Sequence, residues 1–358
     1  MGLKAGIIGC GGIANTKHMP ALKKLKNVEI SAFWNLSPER ARKACAEFGG
    51  EYAKVYNTYG ELINSDVDVV YVLTPNKSHA AISIAALEAG KHVMCEKPMA
   101  TTYADAFLMY EAAEKSGKIL SIGYQNRFRP DTRYLKNACV RGDLGEVYFA
   151  KAHAIRRRGV PTWGVFLDKE EQGGGPLIDT GTHALDLTLW LMDNYDVKSV
   201  RGNVYKKLAD RPDCANRFGA WNPDKFGVED SAFAFITMKN GATVTLESAW
   251  AINLDDESEA QTTLCGTKAG AATKGGLVIN GDAHGRLYTS VPDLTSGGDD
   301  FYDGKQIKTD ADIEAESFIN AVLTNTEPVV TAKQALTVTR ILEAIYTSSE
   351  EGREIVFL

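Results

Sequence analysis

The stretch KAGIIGCGGIA, residues 4–14, decides the fold of the N-terminal part of this chain. Residues 4–9 are apolar enough for a short buried strand, and a helix is predicted to follow it. Between strand and helix, Gly9, Gly11 and Ala14 have the spacing of a dinucleotide-binding turn. Glycine permits the tight turn and the approach of a pyrophosphate, and alanine allows close helix packing. The turn therefore predicts a dinucleotide site at the helix N-terminus; a turn that merely needs glycine is the alternative.

The segments that follow alternate between short apolar strands and helices. The predicted strands are 28–34, 68–74, 92–95 and 118–123, and the predicted helices are 12–26, one that opens at Pro38, 79–89 and 103–116. The strand at 68–74 is nearly continuously apolar, as expected when helices cover both faces of a parallel sheet. This alternation predicts an α/β Rossmann domain with a doubly wound parallel sheet.

The pattern changes after about residue 125, where strands follow one another without crossover helices. The predicted strands are 145–156, 198–206, 229–238, 242–252 and 259–266, the predicted helices are 182–192, 311–325 and 332–348, and the predicted loops are 207–227 and 290–308. Asn240-Gly241 indicates a hairpin between the third and fourth of these strands. We therefore expect a dinucleotide-binding domain at 1–124 and an α+β domain with a large open, mostly antiparallel sheet at 125–358, whose C-terminal helices are able to pack back on the first domain.

The composition excludes several classes of protein. The 358 residues include 40 Lys and Arg against 46 Asp and Glu, and the net charge of -6 argues against a nucleic-acid partner. The six cysteines are scattered without zinc-ligand spacing, which favours a reduced, cytoplasmic compartment. The strand pattern begins at once, so we expect no signal peptide. The chain also has no apolar run of the length a membrane-spanning helix needs.

The end of the second predicted strand bears on the choice of cofactor. An acidic residue about 20 positions beyond the glycines binds the ribose 2′-hydroxyl of NAD and repels the 2′-phosphate of NADP. This chain has the neutral Asn35 there, with Ser37 and Arg40 close by. Arg40 either pairs with a phosphate or is a solvated residue of an ordinary helix start. We expect NAD or NADP, with a slight preference for NADP.

Further candidate residues follow the later strands of the first domain. The rim at the carboxyl ends of the strands is where open α/β sheets bind ligands. Asn76 is placed to bond a ribose or an amide, and His79 either belongs to this site or starts a helix with its ring in water. Glu96 is either a ligand of the nicotinamide ribose or a helix-start carboxylate. The predicted cofactor-binding residues are Gly9, Gly11, Gly12, Ile13, Ala14, Asn35, Ser37, Arg40, Thr74, Pro75, Asn76, His79, Glu96, Lys97 and Asn126.

A second polar site is predicted in the run GGGPLIDTGTHALD, residues 173–186. The four-residue spacing of Asp179 and His183 places both side chains on one face of a helix start. The glycines before them suit an irregular approach over a ligand. The alternatives are a helix-capping Asp179 and a core His183. A metal site at His183 and Asp186 is not expected, because no cysteine or second histidine stands close in sequence.

Together these residues resemble the glucose–fructose oxidoreductase, inositol dehydrogenase and rhizopine-catabolism family, usually called Gfo/Idh/MocA. The matching motifs are Gly9-x-Gly11-x-x-Ala14, Thr74-Pro75-Asn76-x-x-His79, Glu96-Lys97-Pro98, Asn126-Arg127-Phe128, Gly173-Gly174-Gly175 with Asp179-x-x-x-His183, and Val228-Glu229-Asp230. The resemblance covers essentially the whole chain. It implies NAD(P)-dependent oxidation or reduction of a sugar or cyclitol, and a homo-oligomer, dimer or tetramer, formed through the C-terminal sheet. The departure is Asn35, where NAD-preferring members commonly carry an acid.

By this resemblance the catalytic residues are Lys97, Asp179 and His183. We expect His183 to be the base, Lys97 to stabilise the developing alkoxide and Asp179 to orient its partners, and the first two roles are exchangeable. A surface lysine at a strand end is the alternative for Lys97. The predicted substrate-binding residues are Lys97, Tyr124, Arg127, Arg156, Trp163, Asp179 and His183.

Two other functions compete with a sugar or cyclitol dehydrogenase. Some relatives use bound NAD⁺ to oxidise a sugar transiently, so that a glycosidic bond is lost by elimination without net redox change. A non-catalytic NAD(P)-sensing regulator is the other, and it would need the fold alone.

Overall fold

The computed structural model describes residues 2–211, 213–294 and 308–357. The chain divides into two compact units, as far as these described residues go. Unit 1 comprises Met1–Gln125 and Ile307–Leu336, and unit 2 comprises Asn126–Gln306 and Thr337–Leu358. Most of the loop predicted at 290–308 lies outside the described residues.

Unit 1 contains the predicted doubly wound sheet. Its strands are β1 (Leu3–Ile8), β2 (Val28–Trp34), β3 (Lys54–Val55), β4 (Val69–Val72), β5 (His92–Cys95) and β6 (Leu120–Ile122), and its first helices are α1 (Met19–Lys23), α2 (Pro38–Phe48), α3 (Tyr59–Ile63), α4 (His79–Glu88) and α5 (Tyr103–Ser116). The strands lie in the order β3-β2-β1-β4-β5-β6 and all pair in parallel. The Rossmann prediction is therefore confirmed.

The first helix of unit 1 departs from a regular α-helix. Helical backbone begins at Gly12, passes through a π-helical turn at Ala14–His18 and continues into α1. The wider turn holds Lys17 and His18 in buried positions, although both side chains are polar. Such π-helical turns are frequent at functional sites.

Unit 2 is built on a second sheet. Its elements before the undescribed segment 295–307 are α6 (Pro130–Val140), β7 (Val147–Ile155), α7 (Lys169–Gln172), α8 (Thr182–Met192), β8 (Val197–Tyr205), β9 (Ser231–Met238), β10 (Thr243–Ala249), β11 (Ser258–Gly266), β12 (Ala269–Ala272), β13 (Val278–Ala283) and β14 (Arg286–Ser290). After that segment come α9 (Asp310–Thr324) of unit 1, then α10 (Ala332–Glu351) and β15 (Ile355–Val356). The sheet order is β14-β13-β12-β11-β7-β10-β9-β8-β15, with β7 and β10 parallel and the other pairs antiparallel. The open, mostly antiparallel sheet is confirmed.

The two faces of the second sheet differ in burial. Ala150, Ala152 and Ala154 of β7 are fully buried on the face that carries α8. The opposite face of the sheet is more exposed. Lys151 of β7 is exposed there, and Phe235 of β9 is 51% exposed. The small alanines allow α8 to lie close to the strands, so the polar start of that helix is held against a rigid support.

The helix α9 belongs to unit 1, because it completes that unit's core. Phe318 packs edge-to-face on Tyr71 of β4 with ring centroids 5.7 Å apart. At its start, Thr309 and Asp312 form a reciprocal capping box. Among the described residues, no helix is long and apolar enough to cross a membrane.

Candidate active site

The glycine-rich turn has the geometry that a dinucleotide needs. Gly9 has φ of +99°, and a Cβ at this position would lie 2.6 Å from the backbone of Leu73, so only glycine fits. A Cβ added at Gly11 or Gly12 would meet nothing within 4 Å, so this side of the turn is open. The backbone at the helix N-terminus is thus accessible to a pyrophosphate, and the residues present fit such a cofactor.

Asn35 links the turn after β1 to the turn after β2 by hydrogen bonds. Its side-chain oxygen accepts a hydrogen bond from the Cys10 N–H at 2.9 Å, and its amide donates to the Ser37 carbonyl at 3.1 Å. Arg40 is exposed and forms no ion pair with the described residues. Together with Ser37, Glu39, Arg42 and Lys43 it lines an open pocket of about 650 Å³. The first turns of α2 therefore carry three cationic side chains against one acidic side chain.

His79 is the first residue of α4, but its ring is not in water as the alternative interpretation expected. The side chain is completely buried, and its ring nitrogens lie 2.8 Å from the Pro98 carbonyl oxygen and 2.9 Å from the Thr74 carbonyl oxygen. The Lys97–Pro98 peptide bond is cis. His79 thus ties the turn after β4 to the turn after β5, and Asn76 lies between His79 and β4 in a short 3₁₀ turn.

Glu96 is not a helix-start carboxylate, because it directly follows β5. Its Oε1 atom lies 3.1 Å from Lys17 Nζ and 2.8 Å from His18 Nε2, and its Oε2 atom accepts the backbone N–H of Lys97 at 3.0 Å. Lys17 also pairs with Glu314 of α9 at 2.8 Å. Both carboxylate oxygens are thus engaged inside unit 1, and Oε2 holds the Lys97 backbone. The contact of Glu96 with a nicotinamide ribose stays a prediction.

The charges of this buried cluster shift the pKa values of its members. Burial alone would raise the pKa of Glu96, but Lys17 and His18 hold it well below its ordinary value of 4.5. Burial alone would lower the pKa of Lys17, but Glu314 and Glu96 raise it above its ordinary value. The ammonium and the carboxylate therefore both remain charged at neutral pH.

In unit 2, Asp179 accepts a hydrogen bond from a buried indole. A π-helical turn at Leu177–Gly181 precedes α8, so Asp179 lies in that turn and His183 in the first turn of the α-helix. The indole N–H of Trp250, directly after β10, donates to Asp179 Oδ2 at 3.1 Å. Asp179 is only 9% exposed, while His183 is half-buried. The carboxylate thus has a fixed orientation.

Glu229 caps this helical segment instead of Asp179. Its two carboxylate oxygens accept the N–H groups of Gly175 at 2.9 Å and Leu177 at 3.1 Å, and Tyr346 of α10 donates to Oε1 at 2.9 Å. Burial raises the pKa of Glu229, although these hydrogen bonds oppose the shift. The alternative of a helix-capping Asp179 is therefore wrong.

The glycines before Asp179 serve packing and not an irregular approach to a ligand. A Cβ at Gly174 would lie 2.0 Å from the Tyr346 hydroxyl, and one at Gly175 would lie 2.2 Å from the Glu229 carbonyl oxygen. Side chains at these two positions would displace the cap, so the glycines are required by the close approach of Tyr346 and Glu229.

Arg127 is a buried structural residue and is not presented to a substrate. Its Nε and Nη2 atoms donate to the two oxygens of Asp186 in α8 at 2.9 and 2.6 Å, and the ring of Trp190 lies 5.6 Å from the guanidinium. Both members of the pair are about 1% exposed. Burial raises the pKa of Asp186, although Arg127 opposes the shift. With Asp186 engaged, no group of three metal-ligating side chains exists among the described residues.

The remaining candidates lie in different surroundings. Arg156 forms two hydrogen bonds with Glu259, at 2.5 and 2.8 Å, and Trp163 is 52% exposed. Tyr124 is buried in unit 1 at 1% exposure. The carbonyl of Asn126 accepts the Thr132 hydroxyl in unit 2 at 2.7 Å.

Sequence reasoning missed several residues that build these sites. Trp250 has no local signal, because it reaches Asp179 only through the fold of the sheet. Lys17 and His18 look like ordinary residues of a surface helix, although both are buried beside Glu96. Glu229 was noted as part of the motif Val228-Glu229-Asp230, but its capping role was not predicted.

The chain matches two family models in succession. Residues 3–124 match the model described as oxidoreductase family, NAD-binding Rossmann fold. Residues 132–272 match the model described as GFO/IDH/MocA C-terminal domain.

Individual relatives match over different shares of the chain. The D-glucoside 3-dehydrogenase of Escherichia coli (strain K12) is 35% identical over 354 residues, 99% of this chain and 97% of that protein. An inositol 2-dehydrogenase of Salmonella paratyphi B is 35% identical over 203 residues, 56% of this chain and 57% of that protein. Among solved structures, the aldose-aldose oxidoreductase of Caulobacter crescentus superposes with a TM-score of 0.80 at 27% identity and covers 100% of both chains.

Proposed function

The chain belongs to the Gfo/Idh/MocA family of oxidoreductases with an NAD-binding Rossmann fold, and on this premise we propose that it oxidises or reduces a secondary alcohol of a sugar, sugar derivative or cyclitol. The observation that carries the proposal is the Trp250–Asp179 hydrogen bond at the start of α8, one helical turn before His183. The near-complete alignment with a glucoside dehydrogenase supports the substrate class.

The three predicted catalytic residues have distinct chemical roles in this proposal. The residues of the glycine-rich turn and the neighbouring strand ends would hold the nicotinamide cofactor, which would supply hydride transfer to or from the alcohol carbon. His183 removes the hydroxyl proton in the oxidative direction, because imidazole titrates near neutral pH. Lys97 stabilises the negative charge that develops on the oxygen, and Asp179 orients its partners. The Glu96 contact that fixes the Lys97 backbone supports a positioned role for this lysine.

The cofactor is NAD or NADP, with a slight preference for NADP, and the residues predicted from the sequence bind it: those that follow the strands of unit 1, and Asn126 of unit 2. Arg40, Arg42 and Lys43 line the pocket after β2, and Asn35 adds no negative charge there. Such a pocket favours a 2′-phosphate by charge. The KM values for NAD⁺ and NADP⁺ test this preference. A strong preference for NAD⁺ would remove Arg40 from the phosphate site.

The test of function is a substrate screen. Sugars, cyclitols and glycosides are incubated with NAD⁺ and with NADP⁺ while the absorbance of the reduced nicotinamide is followed. The proposal expects stoichiometric NAD(P)H formation with at least one of them. Turnover of a glycoside without added cofactor and without net NAD(P)H would indicate the redox-neutral glycosidase type instead.

Two variants separate the enzyme from a sensor. Lys97→Ala and His183→Ala are expected to bind cofactor normally and to lose turnover by roughly two orders of magnitude or more, as expected when a positioned acid–base or charged group is removed. If both variants turn over like the parent protein, the relay is wrong. If the parent protein binds cofactor and oxidises no substrate, a regulator is favoured.

Assembly and compartment complete the proposal. The half-exposed Phe235 on the open face of the second sheet supports a homo-oligomer formed through that sheet. All six cysteines are free thiols, which supports a reducing, cytoplasmic environment. The small-molecule substrate is the expected partner, and nucleic acid is not.

A further inference from the structure

Two large aromatic side chains are exposed together on the loops of unit 2. Trp163 is 52% exposed and Phe218 is 43% exposed, and their ring centroids lie 5.0 Å apart at an interplanar angle of 86°. An exposed aromatic pair costs free energy in water unless it binds something. Aromatic faces also supply large contact areas to ring-shaped ligands.

The loops that carry this pair are held rigidly together. The Thr162 hydroxyl donates to the Phe218 carbonyl at 2.6 Å. The Asn216 side chain accepts the Val160 N–H at 2.9 Å and donates to the Val160 carbonyl at 3.0 Å. Beneath the loops lies a separate apolar cluster that includes Trp221, Phe226 and Trp250. The pair is therefore preorganised, so little conformational entropy is lost when a ligand stacks on it.

A line of aromatic rings leads from the exposed pair to Asp179. Trp163 contacts Phe166 with centroids 5.9 Å apart, and Phe166 contacts Trp250 with centroids 6.3 Å apart. Trp250 in turn donates to Asp179. Two ring-to-ring contacts thus separate Trp163 from the indole that holds Asp179. The two centroid distances, 5.9 and 6.3 Å, set an upper limit on the separation of Trp163 from Trp250. Trp163 is therefore within reach of a second ring attached to a sugar that reacts at Asp179.

The charged side chains around the pair are already engaged. Arg217, next to Phe218, pairs with Glu257, and Arg156 pairs with Glu259. The guanidinium of Arg158 donates to the Ile252 carbonyl at 2.7 Å. An uncharged ligand ring is therefore favoured over an anionic one.

We propose that Trp163 and Phe218 form a second subsite that binds the uncharged ring joined to the reacting sugar through its glycosidic oxygen. The inference rests on the proposed function and narrows its substrate class from free sugars to glycosides. The ring stacks on the exposed face of the pair, while the reacting sugar lies towards Trp250 and Asp179.

The test compares methyl and phenyl glucosides of both anomers, because they differ only in the attached group. Binding is measured by isothermal titration calorimetry on the cofactor-loaded protein, and turnover by NAD(P)H absorbance. The parent protein is expected to prefer the phenyl over the methyl glucoside. Trp163→Ala and Phe218→Ala are expected to reduce that preference roughly threefold to tenfold, as stacking energies predict. Trp163→Phe is expected to retain most of the preference.

Tyr52→Ala is the matched control, because Tyr52 is an exposed aromatic side chain of unit 1. An unchanged phenyl preference in Trp163→Ala overturns the subsite, and so does a parent protein that binds neither glucoside or both equally. Binding that depends on Trp163 without any turnover supports the subsite and contradicts the proposed reaction. Turnover without such dependence supports the reaction and contradicts the subsite.

Discussion

Trp250 lies directly after β10 of the second sheet and connects this sheet to Asp179 by a hydrogen bond. Its indole N–H donates to the Asp179 carboxylate, and its ring is fully buried. A hydrogen bond to a charged group contributes more than one between neutral groups. Trp250 therefore fixes the orientation of Asp179 without itself being a catalytic residue.

Replacing Trp250 by phenylalanine tests this positioning role. Trp250→Phe keeps an aromatic ring and removes the donor to Asp179, so we expect kcat to fall about tenfold with little change in KM. Trp221→Phe is the control, because the buried Trp221 indole donates to the Ala209 carbonyl at 2.8 Å, away from Asp179. Equal losses of kcat in both variants, measured by steady-state kinetics, would reduce Trp250 to a packing residue.

Glu96 predicts a pH dependence of stability. Its pKa in the folded protein lies below its ordinary value of 4.5, because Lys17 and His18 outweigh the effect of burial. A carboxylate with a lowered folded-state pKa stabilises the fold above the ordinary value, and this contribution is lost as the pH falls through the folded-state pKa. Glu96 thus stabilises unit 1 at neutral pH and ceases to do so in acid.

We expect Glu96→Gln to lower the free energy of unfolding by about 2 kcal/mol at pH 7, since it removes the negative charge that pairs with the buried Lys17 ammonium. The difference from the parent protein should shrink as the pH is lowered below 4.5. Chemical denaturation at several pH values measures both effects. Asp66→Asn is the control, because the exposed Asp66–Lys4 pair contributes little to stability. A pH-independent difference would contradict the assignment.

At the scale of elements, the start of α8 depends on a cap from another part of unit 2. Glu229 accepts two backbone N–H groups before the helix, and Tyr346 of α10 holds Glu229 in place. Gly174 makes this arrangement possible, because a Cβ there would lie 2.0 Å from the Tyr346 hydroxyl. The segment that carries Asp179 is therefore fixed from both sides.

Gly174→Ala should therefore displace Tyr346 and loosen the cap. We expect a loss of roughly 1–3 kcal/mol in the free energy of unfolding, typical of overpacking in a filled core. Combining it with Tyr346→Phe, which removes the atom that the new Cβ strikes, should cost less than the sum of the single changes. Additive losses in a double-mutant cycle would show that the hydroxyl is not the obstacle. Gly142→Ala is a control for inserting alanine where a Cβ meets nothing, although its positive φ adds strain.

The elements with regular apolar patterns were predicted closely. The helices at 182–192 and 103–116 agree in both bounds with α8 and α5. The strands β12 to β14 were missed, because β14 is exposed along its whole length and shows no alternation of burial. The π-helical turn at Leu177–Gly181 also has no sequence signal, since it differs from an α-helical turn only in hydrogen bonding.

The sequence identified polar residues as site candidates, but it did not predict which partners their side chains contact. Asp179 and His183 lie in successive helical turns, as their spacing predicts, but the Trp250 indole that donates to Asp179 comes from a residue 71 positions later in the chain. Arg127 and Glu96 were chosen as ligand contacts, whereas both are buried against partners that lie far away in sequence. Long-range pairing decides which polar groups remain available, and local patterns do not contain it.

At the scale of the whole molecule, the open face of the second sheet is the surface proposed for a homo-oligomer. Phe233 and Phe235 of β9 point to this face together with Phe149 of β7, by the register that pairs Thr245 with Phe235 and Thr243 with Phe149. Phe235 remains 51% exposed. Apolar side chains grouped on an exposed sheet face are typical of an interface between protein chains.

Phe235→Lys is expected to shift the protein from the proposed homo-oligomer to monomer, because a buried unpaired ammonium at an interface is costly. Multi-angle light scattering after size exclusion measures the mass, and thermal unfolding at several protein concentrations measures the linked stability. Tyr52→Lys, at an exposed aromatic position of unit 1, should leave the mass unchanged. A parent protein that is monomeric at micromolar concentration, or an unchanged mass for Phe235→Lys, would rule out this face as the interface.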